Sequence, residues 1–355
     1  MFITTLQLYQ FRCFSSLKLD FEKPIVIIEG CNGTGKTSLL EALYFMSYKR
    51  SFRTASPHDL INYTMGDAFH IKVAGKDTES PESAWNLAAG YSPTQKTLKL
   101  NDKSSSFQEI SALYRTISLT EDDLLLIKGQ PAVRRTFIDQ TLCLMYSEYL
   151  KVLRHYKKIL EARNKLLESI HVDYASYLVW SQQLWVSAQV IEKYRLQLLQ
   201  SLENHLKQLL SLFLEIDFSL QYHATYLTTT HTTFEDFLQE HPLIYEKERR
   251  AQRSLCGPHL HDIQFVVQEK SARDFSSRGM QKLLVVLLKI AQIQLLNKRI
   301  IFLIDDFFLD LDTIRLTLLG KILSELGIQL FITAPFIPPI HIFSEHLTQR
   351  ITITR

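Results

Sequence analysis

Hydrophobic positions change their period several times along the chain. Thr4–Tyr9 alternates apolar with polar, Lys18–Phe21 follows suit, and Ile25–Ile28 is an uninterrupted aliphatic run, IVII. Alternation predicts half-buried strands, whereas a short aliphatic run predicts a strand buried on both faces of a parallel sheet. Directly afterwards Leu39, Leu40, Leu43 and Tyr44 fall at helical spacing, which predicts a helix beginning near Lys36. The segments FHIKVAG, WNLAAGYS and KTLKLND between residues 69 and 100 alternate again and predict an antiparallel sheet with hairpin turns. Thr116–Thr120 is a further predicted strand.

Then the pattern changes. Between Pro131 and Pro242 there is neither glycine nor proline, and Leu, Lys, Glu, Gln and Tyr dominate. Helix breakers are absent and helix formers abundant. Leu153, Tyr156, Leu160 and Leu167 share one helical face, as do Trp180, Leu184, Ala188, Ile191, Tyr194 and Leu198. These faces predict an arm of several packed helices whose aromatic residues fill its core. A helix over Leu283–Leu296 comes next, then buried strands at Ile300–Ile304 and Gln329–Thr333, and an alternating edge strand in the terminal RITITR. Strands alternating with helices on both flanks of the arm predict one α/β domain interrupted by it. The expected divisions are 1–130 for the first part of the α/β domain, 131–255 for the arm and 256–355 for the second part.

Composition narrows the possibilities. Of 355 residues, 46% are hydrophobic and 22% charged, enough for a sizeable core. The net charge of +3 excludes the strong basic excess of a protein that coats nucleic acid, so charge for a nucleic-acid partner has to be gathered locally. Lys49–Arg50 with Arg53, Arg134–Arg135, and Arg249–Arg250 with Arg253 are the candidate clusters. Cys13, Cys31, Cys143 and Cys256 are too scattered for a metal pair or a disulfide framework, which suits a reducing cytoplasm. The first residues do not form a signal peptide, and no apolar run of about 18 residues predicts a membrane span.

Three motifs carry chemistry. Gly30-Cys31-Asn32-Gly33-Thr34-Gly35-Lys36-Thr37 matches the phosphate-loop pattern G-x-x-x-x-G-K-[ST] between a predicted strand and a predicted helix. Glycines let the backbone curl so that N–H groups point at phosphates, and the helix start adds its positive end. Lys36 is expected at the β- and γ-phosphates and the Thr37 hydroxyl on Mg²⁺. Asp305 and Asp306 close the aliphatic strand FLI; Asp305 is the candidate second Mg²⁺ ligand and Asp306 the candidate for activating water. Ser276–Lys282, reading SSRGMQK, offers serine and glycine at a helix start, a second candidate anion site.

Together these pieces resemble the ABC-type ATPase heads of the SMC-like family. QFRCF, CNGTGKTSLLEALYF, RSFRT, TEDDLLLIKGQPAVRRTFID, CGPHLHD and LIDDFFLDLD occur in that family's order. The short arm is similar to that of its bacterial DNA replication and repair branch. The resemblance implies an ABC-type head: a mixed sheet with flanking helices, an antiparallel β subdomain and an interrupting arm. It implies that ATP is bound between two copies, with Ser277 and Gly279 of one engaging the γ-phosphate held by the other. Asp312 would lie at that interface, and Arg12 and Asn32 near the nucleotide. It further implies ATP-dependent binding of single- and double-stranded DNA, weak DNA-dependent ATP hydrolysis, RecR and RecO as partners in loading a recombinase, and roles in replication, repair and the SOS response. Departures are Met280 with Gln281 one place late, Leu309, Asp310, Leu260, and the absence at Thr333–Ala334 of the switch histidine found in transport ATPases. An ABC-type transporter subunit is the alternative, but it would carry that histidine and lack the arm. A small-molecule kinase would leave Ser277 and the acid pair unexplained.

Overall fold

The computed structural model describes residues 2–62, 64, 66–77, 84–106, 109–110, 113–213, 216–226, 228, 233–296, 300–334 and 342–354. The chain divides into two compact units, a head (Met1–Asp123 and Asn297–Arg355) and a helical unit (Leu124–Leu296). These boundaries differ from the expected ones: residues 124–130 and 256–296 group with the helices. The reason is packing, which strand–helix order cannot reveal.

The head opens with β1 (Phe2–Phe11), β2 (Phe14–Asp20) and the buried β3 (Ile25–Glu29), followed by α1 (Lys36–Tyr48). Then come β4 (Phe69–Lys76), β5 (Ala84–Tyr91), β6 (Lys96–Leu100), β7 (Lys103–Ser104) and β8 (Thr116–Leu119). The alternating strands form an antiparallel sheet in the order β2-β1-β4-β5-β6-β7. Its inner face, including Leu6, Leu8, Phe69, Ile71 and Val73, joins one core with Leu39, Leu40 and Leu43 of α1.

The helical unit holds α2 (Pro131–Met145), α3 (Ser147–Glu168) and the 38-residue α4 (Tyr174–Ser211). Asp173 caps α4 by accepting from the N–H groups of Ala175 and Ser176. Three strands interrupt the expected all-helical arm region and its flank: β9 (Phe218–His223) pairs antiparallel with β10 (Asp262–Val267), which pairs with β11 (Lys270–Ser271). The short helices α5 (Phe234–Glu240) and α6 (Ile244–Ala251) separate β9 from β10. Helix α7 (Arg278–Leu296) has the length and composition of a membrane span, which the sequence was not expected to contain. Most of it is buried, and Gln292 Nε2 donates to Thr141 Oγ1 at 2.8 Å on α2. It is a core helix by packing.

Charges cross-link this unit's interior. Arg163 on α3 donates to both carboxylate oxygens of Glu248 on α6, and to Ser181 and Ser254. Both partners of the pair are buried, so each depends on the other. Arg195 of α4 likewise holds Asp139 and the Pro258 carbonyl.

The chain returns to the head through β12 (Ile301–Ile304), α8 (Thr313–Glu325), β13 (Gln329–Ala334) and β14 (Thr348–Thr352). These complete an all-parallel sheet in the order β14-β3-β13-β12-β8. Buried Gln329 joins the two sheets by accepting from Ile3 N–H at 2.7 Å and donating to Ile3 C=O at 3.0 Å.

Arg163→Met should cost about 3–5 kcal/mol, because it strands a buried carboxylate, and adding Glu248→Leu should recover much of the loss. Urea unfolding measures both; a single-variant loss under about 1 kcal/mol, the level of an exposed pair, would contradict this.

Candidate functional site

Parallel strands deliver their carboxyl ends to one edge of a sheet, where loops can meet. The phosphate loop leaves β3 at this edge. Gly35 takes φ +105°, and a Cβ there would lie 2.5 Å from the Phe14 ring and 2.6 Å from Cys13 Sγ. Only glycine fits both the backbone turn and the close approach. Helix α1 begins at the next residue without a side-chain cap, so its first N–H groups face the loop. Lys36 is buried, and its Nζ donates to the carbonyls of Gly30 at 2.9 Å and Cys31 at 3.3 Å. Thr34 Oγ1 donates to Cys31 C=O at 2.9 Å, closing the curl, while Cys31 and Asn32 are exposed.

The acid pair follows β12, two strands from β3. The Thr37 hydroxyl donates to Asp305 Oδ1 at 2.9 Å, and the Thr333 hydroxyl on β13 donates to the same oxygen at 2.9 Å. Thr333 Oγ1 also accepts the Asp306 N–H at 2.9 Å. Burial pushes the Asp305 carboxyl above its ordinary pKa; the two hydroxyl donors oppose this, the Asp306 charge adds to it, and Arg53 opposes it. Asp306 takes φ +46°, a left-handed backbone that costs a non-glycine residue about 1 kcal/mol or more. Its Oδ1 is buried and accepts no hydrogen bond among the described residues.

Arg12 makes a bidentate pair with the buried Glu41 of α1 at 2.8 and 2.6 Å, and Ser51 Oγ donates to the same carboxylate. Its guanidinium also reaches the Asp59 carbonyl at 2.8 Å. Arg12 therefore braces α1, and its neighbours Cys13 and Phe14 press on Gly35. Asp312 caps α8 by accepting from Arg315 N–H at 2.9 Å. The side chains of Leu309 and Asp310 lie outside the described residues.

Ser277 and Gly279 belong to the helical unit, and Ser277 Oγ accepts from Met280 N–H at 3.3 Å at the start of α7. Gln281, one place late against the family pattern, is buried. Its Nε2 donates to the carbonyls of Ala272 at 3.1 Å and Arg273 at 3.2 Å, tying down the preceding turn.

Residues 2–336 match the family described as the RecF/RecN/SMC N terminal domain. The chain belongs to the RecF/RecN/SMC family. It is 31% identical over 352 residues to the DNA replication and repair protein RecF of Pediococcus pentosaceus, covering 94% of this chain and 92% of that protein. Against RecF of Haemophilus influenzae the identity is 29% over 341 residues, with the same coverage. A solved structure of the recombination mediator protein RecF with ATP aligns at a TM-score of 0.82 and 23% identity, covering 96% of this chain and 93% of that one. The Smc head domain of Pyrococcus furiosus aligns at 0.58 and 14%, covering 94% and 89%. The fold is thus the ABC-type ATPase head, and the chain is a RecF-like member of the family.

In this RecF-like chain the expected Thr37 and Asp305 do meet, whereas the Thr333 hydroxyl on the same oxygen and the Glu41–Ser51 brace were not expected, and Arg53 was expected only as part of a basic cluster. Thr333 had been noted only for the histidine it is not, and a hydroxyl ending the strand beside the acids was the available signal.

The raised Asp305 pKa has a measurable sign. A native pKa above the unfolded value contributes stability below the unfolded pKa and loses it as pH rises through the folded pKa. Asp305→Asn keeps an acceptor for both hydroxyls and removes the partly buried charge. It should melt above the parent at pH 7 without ligand, with the gap shrinking toward pH 4. Calorimetry showing a lower midpoint at pH 7 would contradict this.

Proposed function

We propose that this protein is an ATP-dependent DNA-binding switch of replication and recombinational repair. The observation that carries the reading is the hydroxyl bridge from Thr37 through Asp305 to Thr333, which ties the phosphate loop to the acid pair within a RecF-like chain. The backbone N–H groups of Gly30–Thr37 and the start of α1 bind the phosphates of ATP. Lys36 turns from the loop carbonyls to the β- and γ-phosphates. The Thr37 hydroxyl and Asp305 carboxylate are hard oxygen donors and would hold Mg²⁺. When bound, that cation neutralises charge developing on the phosphates. Asp306, with a buried oxygen short of donors, orients the attacking water and accepts its proton as the water oxygen bonds to the γ-phosphorus and the bond to the bridging oxygen breaks.

Ser277 and Gly279 supply the other half of the site. Presented by a second copy, they engage the γ-phosphate, so ATP stabilises the dimer and hydrolysis releases it. The differential contact is the γ-phosphate itself, as any such switch requires. The dimer clamps DNA, double-stranded or at a junction with single strand, through phosphate contacts that are salt-sensitive and weakly sequence-specific. Slow turnover resets it. RecR and RecO are the proposed partners in recombinase loading, in the cytoplasm and during the SOS response. The names of the curated relatives support the replication and repair setting, and family membership leaves the transporter-subunit and kinase readings without support.

Lys36→Met should reduce ATP affinity or turnover by about a hundredfold, the scale of losing a charge-stabilising donor at a phosphate; a filter-binding or phosphate-release assay at parental level would contradict the site. Ser277→Arg should bind ATP as the parent does yet remain monomeric by sedimentation. Retained ATP-dependent dimerisation by that variant would contradict the shared site. DNA affinity of the parent, measured by fluorescence anisotropy, should rise about tenfold or more with ATP and Mg²⁺, a coupling of ordinary size. An unchanged affinity would count against the switch.

A further inference from the structure

Like charges one turn apart on a helix repel each other and lower its stability. Helix α3 carries such a group over two turns. Lys151, Arg154, Lys157 and Lys158 are exposed, with His155 among them, and the window KVLRHYKK contains no acid. The last turns of the same helix show the ordinary remedy, where Lys165 Nζ donates to Glu161 at 2.9 Å. Among the described residues no hydrogen bond or ion pair engages the side chains of Lys151, Arg154, Lys157 or Lys158.

The surrounding acids do not neutralise the window. On α2, Asp139 is held by Arg195 and Tyr149, and Thr136, Gln140 and Cys143 at its surface are neutral. On α4, Glu192 is buried and Glu203 pairs with Lys207. On α3 itself, Glu168 ends the helix beyond the Glu161–Lys165 pair, and Glu148 stands at its start, accepting from Ser147 Oγ at 2.8 Å. One carboxylate therefore borders four cations.

The adjoining element repeats the pattern. Lys247, Arg249 and Arg250 of α6 are exposed, as is Arg253 just after it. Of the two acids there, Glu248 is buried against Arg163, and Glu246 stands 3.9 Å from Arg250. Asn164 of α3 joins the two elements by accepting from Ser254 N–H at 2.9 Å and Ser254 Oγ at 2.7 Å. The other basic clusters of the sequence are engaged within the chain. Arg134 holds Asp262, Arg135 donates to the His261 carbonyl at 2.7 Å, Arg50 lies over the Tyr48 ring, and Arg53 acts on Asp305.

Uncompensated positive charge gathered on one surface of a chain of net charge +3 suits a polyanion. Lys151, Arg154 and Lys158 share a helix face and span about 10 Å of its axis, the rise of about three phosphates along one DNA strand. We propose that this face of α3 is a DNA-backbone contact of the protein, continued by Lys247, Arg249 and Arg253 on the adjoining element. The assignment rests on the DNA-binding reading above and names the surface which that reading leaves open. It puts the contact in the helical unit and outside the ATP-binding residues.

A variant combining Lys151→Gln, Arg154→Gln and Lys158→Gln tests it, by fluorescence anisotropy with a short duplex, ATP and Mg²⁺ over a range of salt. All three positions are exposed, so fold and ATP affinity should match the parent. DNA affinity at about 0.1 M salt should fall about tenfold or more. The slope of log affinity against log salt should flatten by about 2 to 3, nearly one released counterion per lost phosphate contact. The charge-preserving combination Lys151→Arg, Arg154→Lys and Lys158→Arg should keep the parental affinity and slope. Parental affinity and slope in the glutamine variant, or an equal loss in the charge-preserving one, overturns the assignment while leaving the DNA-binding reading intact. A parent that does not bind the duplex with ATP overturns that reading and this proposal with it.

Discussion

One half-buried carboxylate organises the chemical end of this protein. Asp305 Oδ1 sits between the hydroxyls of Thr37 and Thr333, each 2.9 Å away. Burying a charge is unfavourable, and here it is offset only in part, since the carboxyl stays above its ordinary pKa. A site with that residual cost is suited to a divalent cation. The strand order makes the meeting possible. β13 lies between β3 and β12, so the loop after β3 and the acids after β12 emerge on the same edge with Thr333 between them. The antiparallel sheet shares a core with α1, the Arg12–Glu41 pair braces that helix, and Gln329 links the two sheets of the head.

The helical unit solves a different problem. A 38-residue helix is long for a small unit, and its partners hold it with charge as well as apolar packing. Arg163–Glu248 and Arg195–Asp139 join elements far apart in sequence, with their remaining donors going to serine hydroxyls and a proline carbonyl. Removing one partner is costly in such pairs, so the arrangement specifies its geometry strongly. At the end of this unit, Gln281 carries the same logic to the signature turn.

Much of this was legible because local pattern and tertiary position agreed. β3, α1, β12 and β13 are short apolar runs attached to motifs, and no competing pairing makes sense of them. The alternating strands of the antiparallel sheet were equally plain. β9 and β10 were not, because FSLQYH and DIQFVV are strands only through each other, and the first closes a stretch that reads as helix. The grouping of α7 with the helical unit was not legible, because its apolar faces say that it is buried without saying against what. Arg12 is expected near the nucleotide, and its guanidinium is engaged by Glu41, whose burial inside α1 no spacing rule reveals.

The central claim is that each copy carries half of two composite sites. Mixing Lys36→Met protein with Ser277→Arg protein tests it directly by phosphate release. Neither variant alone has a complete site, but a mixed dimer has one, made from the Ser277→Arg copy's phosphate loop and the Lys36→Met copy's signature. The mixture should therefore hydrolyse ATP at a clear fraction of the parental rate. A mixture as inert as its components would contradict the shared-site account.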